Sequence, residues 1–125
     1  MTNDVISDDL RDFILRHIDS VVQLEALLLL RNNPGQEWDV SRTAKRIYAP
    51  ETDVAEALTQ LCAHGLLDCT EAIYRYANVS PQNQAMIDRL AESYSRHLIP
   101  VTNIIHSKPR RIWAFADAFK FRKDP

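Results

Sequence analysis

The chain has 125 residues, 46% of them hydrophobic and 26% charged, with a formal net charge of −2 at pH 7. That length falls below the usual size of two domains, so one compact unit over residues 1–125 is expected. Only 2 glycines are present, too few for the many tight turns of a β-sandwich, and the overall charge does not advertise a polyanion-binding protein.

The opening stretch MTNDVISDDLRD is acidic and has no apolar run, so neither a secretory signal nor a transit peptide is expected. Residues 8–31 predict helix in one or two pieces. Leu10, Phe13, Ile14, Ile18, Val21, Val22 and Leu24 recur at helical spacing, and Ser20 suits the cap of a second piece. From Leu24 to Leu30 the pattern is apolar on nearly every side, as in a helix buried from several directions. Its aliphatic run, Ala26 to Leu30, is too short to span a bilayer. The turn residues NNPGQ at 32–36 end it.

Trp38-Asp39-Val40 alternates as a short strand does, and Ser41 stands in cap position for a helix over 42–48. Ala49-Pro50 breaks that helix, because the residue before a proline is pushed out of the α region. Pro50 suits the first turn of the next helix, which buries Val54, Leu58, Leu61 and Cys62 on one stripe. Gly65 then serves as a left-handed stop. LLDC, the polar tip TEA and IYRYA predict a short hairpin. Ser80-Pro81 opens a further helix. Ile87, Leu90, Tyr94, Leu98, Val101 and Ile105 form a heptad-like seam in it, which Pro100 should kink or break. Beyond Pro109, residues 110–121 place Ile112, Phe115, Ala116 and Phe119 on one stripe.

Val40-Ser41 with TAKRIYA, then PETDVAEALTQL, Gly65-Leu66-Leu67 and IYRYA follow one another in a recognisable order. This order resembles the winged helix-turn-helix superfamily, and within it the multiple-antibiotic-resistance regulator (MarR) type. The resemblance covers residues 20–80 well and the flanking helices loosely; the spacing Leu58, Leu61, Gly65, Leu66 is its most specific part. It implies a mainly α fold with a small β-hairpin wing and extra N- and C-terminal helices. It further implies a homodimeric transcription regulator that reads DNA with the helix beginning at PETDVAEALTQL. The C-terminal helices over 81–125 are the expected dimerisation element, with Ile87, Leu90, Tyr94, Leu98, Ile105, Ile112, Phe115 and Phe119 as candidate contacts.

The sequence departs from the family at the reading face. With Val54, Leu58, Leu61 and Cys62 inward, the outward residues are Thr52, Asp53, Glu56, Thr59, Gln60 and Ala63. DNA-binding relatives usually carry Ser, Thr, Arg, Gln or Asn there. Glu51 and Asp53 lie in the first helical turn, where the helix dipole favours a carboxylate by about 0.3–1 kcal/mol. Glu56 lies beyond that turn, and four residues either side of it stand Thr52 and Gln60, neither of them basic. A carboxylate can still read cytosine through its amino group. Phosphate contacts must come from Arg42, Lys45 and Arg46 on the preceding helix and Arg75 in the wing. These four cations, doubled in a dimer, give a salt slope of about −7 at most. A solvated helix face explains the first three equally well.

Residues 1–80 hold 7 Lys/Arg against 13 Asp/Glu, a net of −6, whereas residues 81–125 hold 8 against 4, a net of +4. The stretch KPRRIWAFADAFKFRKDP concentrates that positive charge among aromatic residues. Such interleaving suits nucleic acid, an anionic membrane or an acidic partner, although docking of its apolar stripe on the protein itself is the stronger reading. Cys62, His64 and Cys69 match no strong zinc signature, and two cysteines do not make a secreted disulfide scaffold. His17, His97 and His106 read as surface or interface histidines. No phosphate loop, nucleophile elbow or H-E-x-x-H motif is present, so no catalytic residue, metal or cofactor is expected. The expected protein is a cytoplasmic winged-helix transcription regulator that binds DNA as a homodimer. The alternative is a winged helix whose acidic face binds a protein. A ligand-gated regulator ranks third, with its site between the reading unit and the dimer helices.

Overall fold

The computed structural model describes residues 5–108, which form six helices and one two-stranded hairpin. In chain order they are α1 (Asp8–His17), α2 (Val21–Arg31), α3 (Val40–Ile47), α4 (Glu51–Ala63), β1 (Asp68–Thr70), β2 (Ile73–Arg75), α5 (Pro81–Arg96) and α6 (Leu98–His106). The first helical stretch is therefore two helices. Ser20 separates them as the cap of α2, its hydroxyl accepting from the Gln23 N–H at 3.1 Å.

Two groups of helices share one core. The first is α2, α3 and α4 packed together, with α2 against α4 as its main contact. The second is α1, α5 and α6. Helix α2 lies between them and buries Gln23, Leu24, Ala26, Leu27 and Leu30. Leu58 and Leu61 of α4, Ile87 and Leu90 of α5, and Val101 of α6 are all fully buried in the same cluster. Tyr94 ties α5 to α2 through its hydroxyl, which donates to Glu25 at 2.7 Å. Burial, then the Glu25 carboxylate, push the Tyr94 phenol up to about 12.

The structure corrects four local expectations. Trp38-Asp39-Val40 is not a strand of three residues. Only Trp38 pairs, in an antiparallel bridge to Tyr74, with its N–H donating to the Tyr74 carbonyl at 2.9 Å and the reverse bond at 2.7 Å. Asp39, not Ser41, caps α3: its carboxylate accepts from the Arg42 N–H at 2.7 Å. The bridge leaves Asp39 extended, so the helix starts at once behind it. Cys62 is half-buried, and Ala57 takes its place on the buried stripe of α4. The seam breaks at His97, not at Pro100. A proline ring clashes with the carbonyl four residues back, so Pro100 is better placed in the first turn of a new helix.

Two chain reversals frame α4. Tyr48 ends α3 in the left-handed conformation, φ 58°, and its side chain is 94% exposed. At the other end Gly65, φ 76°, ends α4. The Leu66 N–H donates to the Leu61 carbonyl at 2.9 Å and the Gly65 N–H to that of Cys62 at 3.0 Å, closing the helix as a Schellman turn. The hairpin follows, with Asp68 opposite Arg75 and Thr70 opposite Ile73. No described helix is long and apolar enough to cross a membrane.

Candidate functional site

The outward face of α4 carries Glu51, Thr52, Asp53, Glu56 and Thr59, all exposed, with Gln60 half-buried. It is held by Val54, Leu58 and Leu61, fully buried against α2 and α3. These positions follow from the helical period; of the six residues expected outward, Thr52, Asp53, Glu56, Thr59 and Ala63 are exposed and Gln60 is half-buried. Asp53, Glu56 and Gln60 do more than face outward. They form one wall of a cleft of about 400 Å³ between α4, the start of α2 and the end of α6. Ser20, Val21 and Val22 line the second wall, and Ile105, His106 and Lys108 the third.

The floor of this cleft is polar and internally satisfied. The Lys108 ammonium pairs with the Asp19 carboxylate and donates to the Ile18 carbonyl at 3.1 Å. Both side chains are largely buried, 11% exposed for Lys108 and 17% for Asp19. Gln23, 2% exposed, accepts from the Asp19 N–H at 2.8 Å and donates to the His17 carbonyl at 2.8 Å. None of Asp19, Glu56 and Gln60 is without a partner. Asp19 is paired with Lys108, and Asp53 and Glu56 stand on the facing wall.

The four candidate phosphate-binding cations separate into two kinds. Arg42 is bound within its own protein. Its guanidinium lies 3.8 Å from the centre of the Trp38 ring and donates to the Glu37 carbonyl at 2.6 Å and to the Gln36 side chain at 2.7 Å. Arg75 pairs across the hairpin with Asp68 at 3.2 Å. Lys45 and Arg46 are exposed on α3 beside Tyr48, with Arg46 5.5 Å from the Trp38 ring centre. The Arg42–Trp38 stacking was not foreseen, although an aromatic and a cation four residues apart in sequence was a signal that could have found it. The Lys108–Asp19 pair, 89 residues apart, had no such local sign.

Sequence reasoning also missed a histidine pair. His64, at the end of α4, meets His17, at the end of α1, through their Nδ1 atoms at 2.9 Å. His64 therefore turns toward α1. Burial first and the neighbouring Cys69 second push the Cys62 thiol up, and Cys69 itself is exposed. Among the described residues no three His, Cys, Asp or Glu side chains gather as a metal-binding group.

Of the candidate dimer contacts, Ile87, Leu90 and Ile105 are buried in the chain's own core, and Tyr94 is half-buried beside Glu25. Leu98 is 49% exposed, next to Ile99 at 63%. Ile112, Phe115 and Phe119 lie outside the described residues. No known family, curated protein or solved structure matches the chain.

Proposed function

We propose that the chain is a winged-helix regulatory protein of the MarR-like type whose α4 face docks a basic region of a protein partner. The order α2, Trp38 bridge, α3, α4, β1, β2 supports the winged-helix reading, with Trp38 supplying the third, one-residue strand of the wing sheet. That order speaks to fold, and the site must speak to function.

The observation that carries the choice of partner is the fate of Arg42 and Arg75. Both are engaged within the protein, while α4 presents Glu51, Asp53 and Glu56. Only Lys45 and Arg46 of the four cations remain for phosphates. Two per chain in a dimer give a salt slope of about −4 at most, against about −7 for all four. Carboxylates on the inserted helix repel the same phosphates. A basic protein surface turns that repulsion into attraction and a faster encounter.

DNA reading stands second, on one specific observation. Lys45, Arg46 and Tyr48 form an exposed basic and aromatic patch beside the start of α4. Homodimerisation belongs to either reading, with Leu98 and Ile99 as adjacent exposed apolar residues of α6.

The test is a salt titration on genomic DNA fragments with the wild type and the Asp53→Asn, Glu56→Gln variant. Weak, shallow, non-sequence-specific binding by both is expected. Tight binding by the wild type, with a slope near the four-cation limit and loss on Arg42→Ala, would show that DNA is the partner. Photocrosslinking from position 59 then identifies the protein docked on α4, and Glu56→Lys should abolish that adduct.

A further inference from the structure

The acidic start of α4 has a basic counterpart on the same chain, at the end of α3. We propose that the corner between α3 and α4 pairs with the same corner of a second copy. Lys45 and Arg46 of each copy meet Glu51 and Asp53 of the other, with Tyr48 at the centre. The pairing rests on the reading of α4 as a face for a basic protein surface, and it names that surface.

Three observations carry it. First, the corner holds opposite charges that leave one another alone. Lys45 and Arg46 stand in the last turn of α3, Glu51 and Asp53 in the first turn of α4, and all four are exposed. Among the described residues none of the four is in an ion pair. Second, the order along the corner is self-complementary. It runs positive at Lys45 and Arg46, apolar at the exposed Tyr48 and Pro50, and negative at Glu51 and Asp53. A two-fold rotation about the middle lays positive on negative at both ends. Such a contact closes at two copies and builds no filament. Third, Tyr48 is held outward. Its side chain is 94% exposed on a backbone at φ 58° and ψ 49°. That left-handed conformation suits glycine and disfavours a bulky residue. Glycine would end α3 there without strain, whereas tyrosine sets a ring on the crest between the two charge pairs. Tyrosine is a favoured anchor at protein interfaces, with charged residues kept to the rim around it.

The pairing hides the start of α4 in both copies. A basic partner then competes with the second copy, so α4 is most open when the protein is dilute. A contact of this extent belongs with the small, transient interfaces, and added salt weakens it.

Sedimentation of the purified full chain from about 1 μM to about 1 mM, the span of weak association, tests the pairing. The wild type should show a two-copy association step that weakens with salt. Lys45→Glu with Arg46→Glu should weaken that step about tenfold or more, because like charges then meet, and so should Glu51→Lys with Asp53→Lys. Mixing the two variants in equal amounts should restore it, since the all-acidic corner of one then meets the all-basic corner of the other. Tyr48→Gly relieves the backbone, so its melting temperature should hold or rise while association falls. Should either charge reversal fail to fold, Tyr48→Gly and the salt series still decide. Absence of any association step overturns the pairing. So does a step indifferent to salt and to Tyr48→Gly, which belongs to another face, or a mixture of folded variants that associates no better than its components. A step removed by nuclease treatment gives the basic patch to nucleic acid and overturns the pairing as well. These readouts use the protein alone. Capture of a different protein by photocrosslinking from position 59 stands or falls separately, so failure of the pairing and failure of the α4 reading are distinguishable.

Discussion

The Nδ1 atoms of His17 and His64 lie 2.9 Å apart, joining the end of α1 to the end of α4. One ring must donate and the other accept, so the bond survives with two neutral rings or one charged ring and fails with two. Burial holds the His17 pKa below its ordinary 6.5, helped by the charges of His64, Arg16 and Lys108 and opposed by Asp12. The folded state thus binds fewer protons than the unfolded state as pH falls. Stability contributed by this site is complete above pH 6.5 and is lost as pH drops through the depressed folded value. Urea midpoints should fall on acidification across that window, and His17→Gln should flatten the fall. A variant profile parallel to that of the wild type would remove the histidine pair as its cause.

Gln23 closes the joint between α1 and α2. Its amide serves two backbone groups, the Asp19 N–H and the His17 carbonyl, at 2% exposure. Gln23→Leu keeps the volume and strands both groups. Each buried unsatisfied group costs about 1–3 kcal/mol, so a loss of roughly 2–4 kcal/mol is expected. The denaturation midpoint should fall with an unchanged slope. A loss below about 0.5 kcal/mol, the range of ordinary surface changes, would mean that water reaches the joint.

The features legible in the sequence are those decided locally. Ser20, Ser80-Pro81 and Gly65 mark helix ends through groups within three or four residues, and all three act as their chemistry predicts. The face of α4 follows from helical period alone. Asp39 and Ser41 are both competent caps, and the choice between them depends on Trp38 bridging to Tyr74, 36 positions away, which sequence spacing does not reveal. The cleft, the Lys108–Asp19 pair and the His17–His64 contact have the same origin. Each joins helices that meet only in the folded chain. Apolar spacing on α5 and α6 was legible as a buried seam, but not what it was buried against. Ile87, Leu90 and Ile105 are buried in the chain's own core, and the same spacing would equally suit burial against a second chain.

Arg42 separates a structural cation from a phosphate-binding one. It stacks on Trp38 and holds the Gln36–Glu37 turn through two hydrogen bonds. Arg42→Ala should cost about 1–2 kcal/mol through lost stacking and packing. Lys45→Ala and Arg46→Ala should stay within about 0.5 kcal/mol of the wild type. Thermal melts of the three variants decide it. Equal melting points for all three would return Arg42 to the set of free surface cations and strengthen the DNA reading.

The hairpin tip holds the clearest reserve of stability. Glu71 and Ala72 both have positive φ, 52° and 68°, in a two-residue turn between the paired Thr70 and Ile73. This is the type I′ arrangement, which favours Asn-Gly because its left-handed conformation disfavours side chains with ordinary Cβ crowding. An L-residue there costs roughly 1–2 kcal/mol, while a new glycine returns about 0.5–1 kcal/mol of unfolded-state entropy. Glu71→Asn with Ala72→Gly should therefore stabilise the protein by about 0.5–1 kcal/mol, read as a higher denaturant midpoint. The same variant removes a carboxylate from the tip. Raised stability with unchanged partner binding would confine recognition to α4, whereas weakened binding would extend the docking surface to the wing. A lower midpoint would show that Glu71 or Ala72 makes tip contacts worth more than the backbone strain.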